Sequence, residues 1–202
     1  MNTGRRSPPV PLSPAPRGSG AASSIRIIGG RWRGTRLPIA ERPGLRPTSD
    51  RVRETLFNWL QAHLAGARVL DLFAGSGALG LEALSRGAAS AQLVEADPKL
   101  ALHLRELGGR LGAGGQLEIH AGDALAWLQG AHARMFDIAF VDPPFDNDLW
   151  AAVLEMLPAR MAGQAWIYVE SPADLTPVLP MEWALHREGS TRLVRYALYR
   201  RG

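Results

Sequence analysis

The chain has 202 residues, 46% of them apolar and 21% charged, which suits one domain with a sizeable core. No apolar run approaches the roughly 20 residues of a membrane-spanning helix, and the start lacks the apolar stretch of a secretory signal. Cysteine is absent, which excludes disulfides, zinc–thiolate sites and cysteine nucleophiles and fits a cytoplasmic protein. The net charge of +4 is unevenly spread: residues 1–68 hold twelve Arg and three acids, whereas residues 69–202 hold ten Arg, one Lys and sixteen acids. A basic front on an acidic body suggests a polyanion-gripping surface beside a site for a cationic cofactor.

Residues 1–24 are rich in Pro, Ser and Gly without apolar periodicity, and read as a disordered basic tail. Segments 25–30 and 35–39 read as a small hairpin, followed by a loop at 44–47. Thr48, Ser49 and Asp50 are all plausible N-caps for a helix of about four turns with Val52, Leu56, Trp59 and Leu60 inward. Together, 25–66 form an N-terminal extension, with Arg51 and Arg53 either beside a nucleic acid or on a solvated helix face.

From residue 67 strands and helices alternate. Strands are expected at 69–73, 91–95, 117–120, Phe136–Val141 and 166–170. Helices are expected at 78–86, 98–107, 124–128 and 149–157, the last ended by Pro158. A closing antiparallel hairpin spans 183–188 and 192–200 around Gly189 and Ser190. Buried, non-alternating strands joined by helices predict an α/β doubly wound, mostly parallel sheet with that C-terminal hairpin.

The first strand runs into Asp71-Leu72-Phe73-Ala74-Gly75-Ser76-Gly77, and Gly75-x-Gly77-x-x-Gly80 matches a dinucleotide fingerprint. Glu95 follows at the end of the next strand, where it can accept from ribose hydroxyls. A nicotinamide dinucleotide would bring its anionic pyrophosphate to this helix start, next to the Asp71 carboxylate. S-adenosylmethionine would instead bring an ammonium and a sulfonium, so Asp71 favours that cofactor over the dehydrogenase reading. A glycine turn without a ligand is the bland alternative. Asp123 is placed to accept from the adenine amine, to cap the helix at Ala124, or both. Asp97 reads as the cap before Pro98.

Asp142-Pro143-Pro144-Phe145 follows the fourth strand, on the rim where open parallel sheets bind ligands. An exocyclic amine on a base is a poor nucleophile because its lone pair is delocalised. Asp142 and a backbone carbonyl, that of Pro143, can hold its two N–H bonds. Pro143 and Pro144 stiffen the loop and remove competing donors. Phe145 offers a face on which the base can stack. The alternative is an ordinary proline turn. Five histidines, 63, 103, 120, 132 and 186, show no metal-ligand spacing, so no metal site is expected.

The Asp-Pro-Pro-Phe tetrapeptide and the Asp71–Gly77 loop resemble motifs IV and I of amino-methyltransferases. More specifically, 26–34 (RIIGGRWRG), 44–48 (GLRPT), 50–59 (DRVRETLFNW) and 73–87 (FAGSGALGLEALSRG) resemble the bacterial RsmD family. The similarity runs from about residue 25 to 199 and includes Tyr168-Val169-Glu170. The resemblance implies a monomeric, cytoplasmic class I methyltransferase that uses S-adenosylmethionine on N2 of a guanine in 16S ribosomal RNA, guanine 966, within the 30S subunit or an assembly intermediate. It implies cofactor contacts from Asp71, Phe73, Gly75, Ser76, Gly77, Glu95, Asp123 and Thr48, and catalytic work at Asp142, Pro143, Pro144 and Phe145. One departure is visible: the helix after the second strand reads Leu104-Arg105-Glu106-Leu107-Gly108-Gly109, without the Asn that similar enzymes often have. Arg26, Arg31, Trp32, Arg33 and Arg46 are the expected RNA contacts, with Trp32 alternatively a packing residue. A DNA amino-methyltransferase and a non-catalytic RNA-binding assembly factor are the competing functions.

Overall fold

The computed structural model describes residues 24–38, 49–130 and 134–202. The expected tail therefore lies outside the described residues except for Ser24, and so do Arg46 and Thr48. Strands β1 (Ser24–Arg26) and β2 (Arg36–Pro38) pair antiparallel, as expected, though each is shorter than its apolar segment. A single 3-10 turn, Gly30–Trp32, lies between them.

Helix α1 (Asp50–Trp59) starts at Ser49, whose hydroxyl accepts from the Val52 N–H at 3.3 Å. It buries Leu56 and Phe57, while Trp59 is only half-buried. Arg53 is the clear correction: it does not line a solvated face but is 0% exposed. Its guanidinium donates to the Arg26 carbonyl at 2.8 Å and to Asp50 at 2.7 Å, so it ties α1 to β1.

The rest of the chain folds as β3 (Arg68–Asp71), α2 (Ala78–Ser85), β4 (Ser90–Glu95), α3 (Pro98–Arg110), β5 (Leu117–Ala121), α4 (Ala124–Gln129), β6 (Phe136–Val141), α5 (Trp150–Met156), β7 (Met161–Pro172), β8 (Ala184–Ser190) and β9 (Val194–Arg201). The seven strands lie in the order β5-β4-β3-β6-β7-β9-β8, parallel from β5 to β7 and antiparallel beyond. Pro158 does not end α5 directly. It sits in the first turn of a following 3-10 segment, Leu157–Arg160, where its missing N–H costs nothing. The last hairpin turns at 191–193, where Thr191 N–H donates to Val194 O at 2.8 Å, rather than at Gly189 and Ser190.

Apolar residues fill both faces of the sheet. One face packs Val69, Leu93, Ile138, Phe140 and Tyr168 against α1, α2 and α3. The other packs Leu70, Val94, Ala139, Val141 and Val169 against α4 and α5. At the base, Arg68 grips Asp137 through its own N–H at 2.8 Å and its guanidinium at 2.9 and 2.7 Å, which pins the register of β3 against β6.

The hairpin docks on α2 through one buried acid. Glu82 accepts from Ile28 N–H at 2.7 Å, Gly29 N–H at 2.8 Å and Arg86 Nε at 2.6 Å. Ser85 accepts from Trp32 N–H at 2.9 Å and donates to Gly29 O at 2.6 Å. Gly30 must be glycine here: a Cβ would lie 1.8 Å from the Ser85 carbonyl oxygen.

Candidate active site

Strand β3 has β4 on one side and β6 on the other, and the connection after β3 runs to β4 while that after β6 runs the opposite way to β7. This is the switch point at which open α/β sheets form a crevice beyond their carboxyl ends. Asp71 pairs in register with Phe140, and Leu72 N–H donates to Phe140 O at 3.2 Å. Asp142 comes two residues after Phe140, so the glycine loop and the proline loop leave adjacent strands at the same rim.

Side chains alternate along strands, which puts residues two apart on one face. Leu93 pairs with Asp71, and Phe140 with Tyr168. Glu95, Asp71, Asp142 and Glu170 therefore face the same side of the sheet near the ends of β4, β3, β6 and β7, with Asp71 two residues deeper than the others. The first three were legible as candidates. Glu170 was not assigned a role, although a glutamate closing a buried apolar strand was a usable signal.

Two of these acids, Asp71 and Glu95, accept from backbone N–H groups. Asp71 is 3% exposed and accepts from Gly80 N–H at 3.0 Å. Burial pushes its carboxyl up to about 7; the N–H groups of Gly80 and Phe73 oppose this, and the charge of Glu95 adds to it. Glu95 accepts from Gly75 N–H at 2.7 Å and from Asp97 N–H at 2.8 Å. These two acids thus hold the loop they were expected to accompany. Gly77 has φ +77°, and a Cβ there would meet Leu104 at 2.7 Å and Leu81 at 2.9 Å. Ser76 and Phe73 are half-buried beside it. A Cβ at Gly75 would meet nothing nearer than the Phe73 oxygen at 4.0 Å, so the loop is open on that side. An open backbone cradle with two carboxylates behind it suits a cationic ligand such as S-adenosylmethionine better than an anionic pyrophosphate. Asp123 is the N-cap of α4 and accepts from Ala126 N–H at 2.9 Å; Asp97 caps α3 through Lys99 N–H at 2.7 Å.

In the proline loop Asp142 is half-buried, Pro143 buried and Pro144 exposed. Phe145 is 39% exposed, with its ring 5.7 Å from that of Trp150. Trp150 in turn donates its indole N–H to Glu170 O at 2.7 Å, which ties α5 to the end of β7. The Tyr168 hydroxyl donates to Glu170 Oε1 at 2.8 Å. Burial, then the charges of Glu170 and Asp142, push the Tyr168 phenol well up, so it remains a donor.

The basic residues divide. The Arg31 guanidinium stacks 4.2 Å over Trp32 and donates to Gln116 at 2.8 Å. Trp32 is half-buried against two core clusters, in line with its packing reading. Arg26 and Arg33 are exposed and, with Arg36 and Asp50, line an open concavity of about 440 Å³. Among the described residues no cluster of His, Asp or Glu could hold a metal ion, and no helix is long and apolar enough to cross a membrane.

Comparison with known proteins matches residues 25–200 to a family described as conserved hypothetical protein 95. Ribosomal RNA small subunit methyltransferase D of Escherichia coli is 47% identical over 189 residues, 92% of this chain and 94% of that one. The protein of the same name in Haemophilus influenzae is 40% identical over 183 residues, 89% and 95% of the two chains. A solved Escherichia coli methyltransferase structure superposes with a TM-score of 0.79 at 46% identity, covering 89% of this chain and 98% of its own.

Proposed function

The chain belongs to the family of the bacterial ribosomal RNA small subunit methyltransferase D, and on that premise we propose that it methylates N2 of a guanine in 16S ribosomal RNA. Its cofactor is S-adenosylmethionine, which when bound supplies an electrophilic methyl group. The observation that carries the reading is the adjacency of the glycine loop and Asp142-Pro143-Pro144-Phe145 on neighbouring strands at one rim.

The chain's own residues divide the work as follows. The backbone of Gly75, Ser76 and Gly77, with Phe73, receives the cofactor, while Asp71 faces its positive charge. Glu95 accepts from the ribose, and Asp123 accepts from the adenine through the oxygen that does not cap α4. Thr48, outside the described residues, is assigned to the cofactor by the family resemblance. Asp142 and the Pro143 carbonyl each accept one N–H of the target amine, which draws the nitrogen toward tetrahedral geometry and takes its lone pair out of conjugation with the ring. Phe145 stacks on the base, with Pro144 stiffening the turn. The proton becomes acidic only as the new bond forms, so Asp142 need not be a strong base. Positioning supplies much of the acceleration.

The N-terminal segment 25–66 contacts RNA through Arg26 and Arg33, while Arg31 and Trp32 support it; Arg46, outside the described residues, is assigned to RNA by the family resemblance. The protein acts as a monomer on the 30S subunit or an assembly intermediate, at guanine 966. The test is transfer of labelled methyl to 16S RNA, free and in 30S particles, with nucleoside analysis of the product. N2-methylguanosine is expected; methyladenosine, or no product from either substrate, overturns the proposal.

A further inference from the structure

Both ends of the chain are basic. Residues 184–202 hold five Arg and one Glu, while residues 69–183 hold six basic residues and fifteen acids. Glu188 is taken by Arg195 at 2.7 Å, and Arg201 donates to the carbonyls of Met161 and Ala162 at 2.6 and 2.7 Å. Arg187, Arg192 and Arg200 are exposed and make no ion pair among the described residues.

Two of these arginines flank an aromatic group. Trp166 on β7 is half-buried; the His63 ring lies 4.3 Å from it at 33°, and the His186 ring 5.0 Å away at 74°. Both histidines are exposed. Arg200 pairs with Trp166 across β7 and β9. The register of β8 slips between Leu185 and Arg187, and a bulge of this kind re-aims the side chains at it. Slight desolvation, then Arg187, Arg200 and His63, hold His186 below its ordinary value, which favours the uncharged ring. Neutral rings stack on bases, and unpaired guanidiniums take phosphates.

We propose that His63, Trp166, His186, Arg187 and Arg200 form a second RNA-contact surface, apart from both the catalytic rim and the N-terminal hairpin. It rests on the reading of RNA as substrate. Trp166 lies on the same face as Glu170, four residues or about 13 Å back from the rim, so bases and phosphates a few nucleotides from the target reach it. Charge selects the partner: with Glu188 engaged, the hairpin offers cations and no free acid.

The test measures binding of the full chain to 16S RNA by filter retention over a range of salt. The Arg187→Glu/Arg200→Glu pair changes exposed residues only. It is expected to raise Kd at least about tenfold and to flatten the log–log salt slope by about 1.4–1.8, two phosphate contacts. His186→Ala is expected to raise Kd about fivefold with the slope unchanged, the loss of a stacked base. An unchanged Kd and slope in the double variant overturns the surface. So does a loss seen with 30S particles and not with free RNA, which assigns the patch to a ribosomal protein. A wild-type chain that binds RNA but yields no methylated base instead overturns the proposed reaction and leaves this surface standing.

Discussion

Replacing Asp71 by Asn asks what its burial costs. The carboxyl titrates near 7 in the folded chain and at 3.8 ordinarily, because burial outweighs the N–H groups of Gly80 and Phe73. At 1.36 kcal/mol per unit, this difference makes the ionised form about 4 kcal/mol less stable in the folded protein. A raised folded value means that the native state holds its proton where the unfolded chain has lost it. The contribution of Asp71 to stability is therefore greatest below pH 3.8, declines as pH rises, and levels off above pH 7. Asn does not titrate. Its amide can leave a buried N–H unpaired at a cost of about 1–3 kcal/mol, but that cost is the same at every pH. The stability of Asp71→Asn relative to wild type should thus improve by roughly 2–3 kcal/mol between pH 5 and pH 8. Guanidinium unfolding of the cofactor-free proteins at several pH values measures it. Two curves that run parallel from pH 5 to pH 8 would refute the claim that burial sets the Asp71 equilibrium. A companion outcome concerns the ligand. A cation in the crevice favours the ionised acid, so wild-type affinity for S-adenosylmethionine should strengthen from pH 6 to pH 8, and that trend should vanish in the variant.

Asp142→Ala should slow methyl transfer at least about 100-fold while calorimetry finds cofactor affinity within about twofold. Equal losses in both would make Asp142 a cofactor residue rather than the acceptor for the amine. Glu82→Ala removes the acceptor shared by Ile28, Gly29 and Arg86 and one of the two carboxylates near the buried Arg53, which keeps Asp50 at 2.7 Å. It should cost about 3–5 kcal/mol and expose the hairpin to limited proteolysis. A near-neutral unfolding midpoint would show that the hairpin docks by its apolar contacts alone. Gly77→Ala forces a Cβ onto φ +77° and to within 2.7 Å of Leu104. It should lower stability by about 1–3 kcal/mol and weaken cofactor binding, both visible as a fall in Tm with and without ligand.

Much of this molecule was readable locally. The apolar runs at β3, β4 and β6, each interrupted by helical spacing, produced the parallel sheet, and the span of β6 matched to the residue. Gly75, Gly77, Pro98 and the Asp97 and Asp123 caps act through their own φ angles or through atoms a few residues away, so their positions followed from adjacency. The sharing of one rim by Asp71 and Asp142 followed from chain direction, since both end strands of a parallel sheet.

What adjacency could not supply lies where distant segments meet. Arg53 looks like any charged residue on an amphipathic helix; only the docked hairpin and Glu82 make it an interior cation. Glu82 itself reads as a solvent-facing helix residue until Ile28 and Gly29, more than 50 positions away, aim their N–H groups at it. The basic C-terminal hairpin joins His63 and Trp166 only because β9 inserts between β7 and β8. Residue types and short spacings thus determined the elements, the loop chemistry and the kind of cofactor. Strand order and packing decided which acids stand side by side, which are buried and which arginines remain open, because register and desolvation are properties of the assembled sheet and not of any stretch of chain.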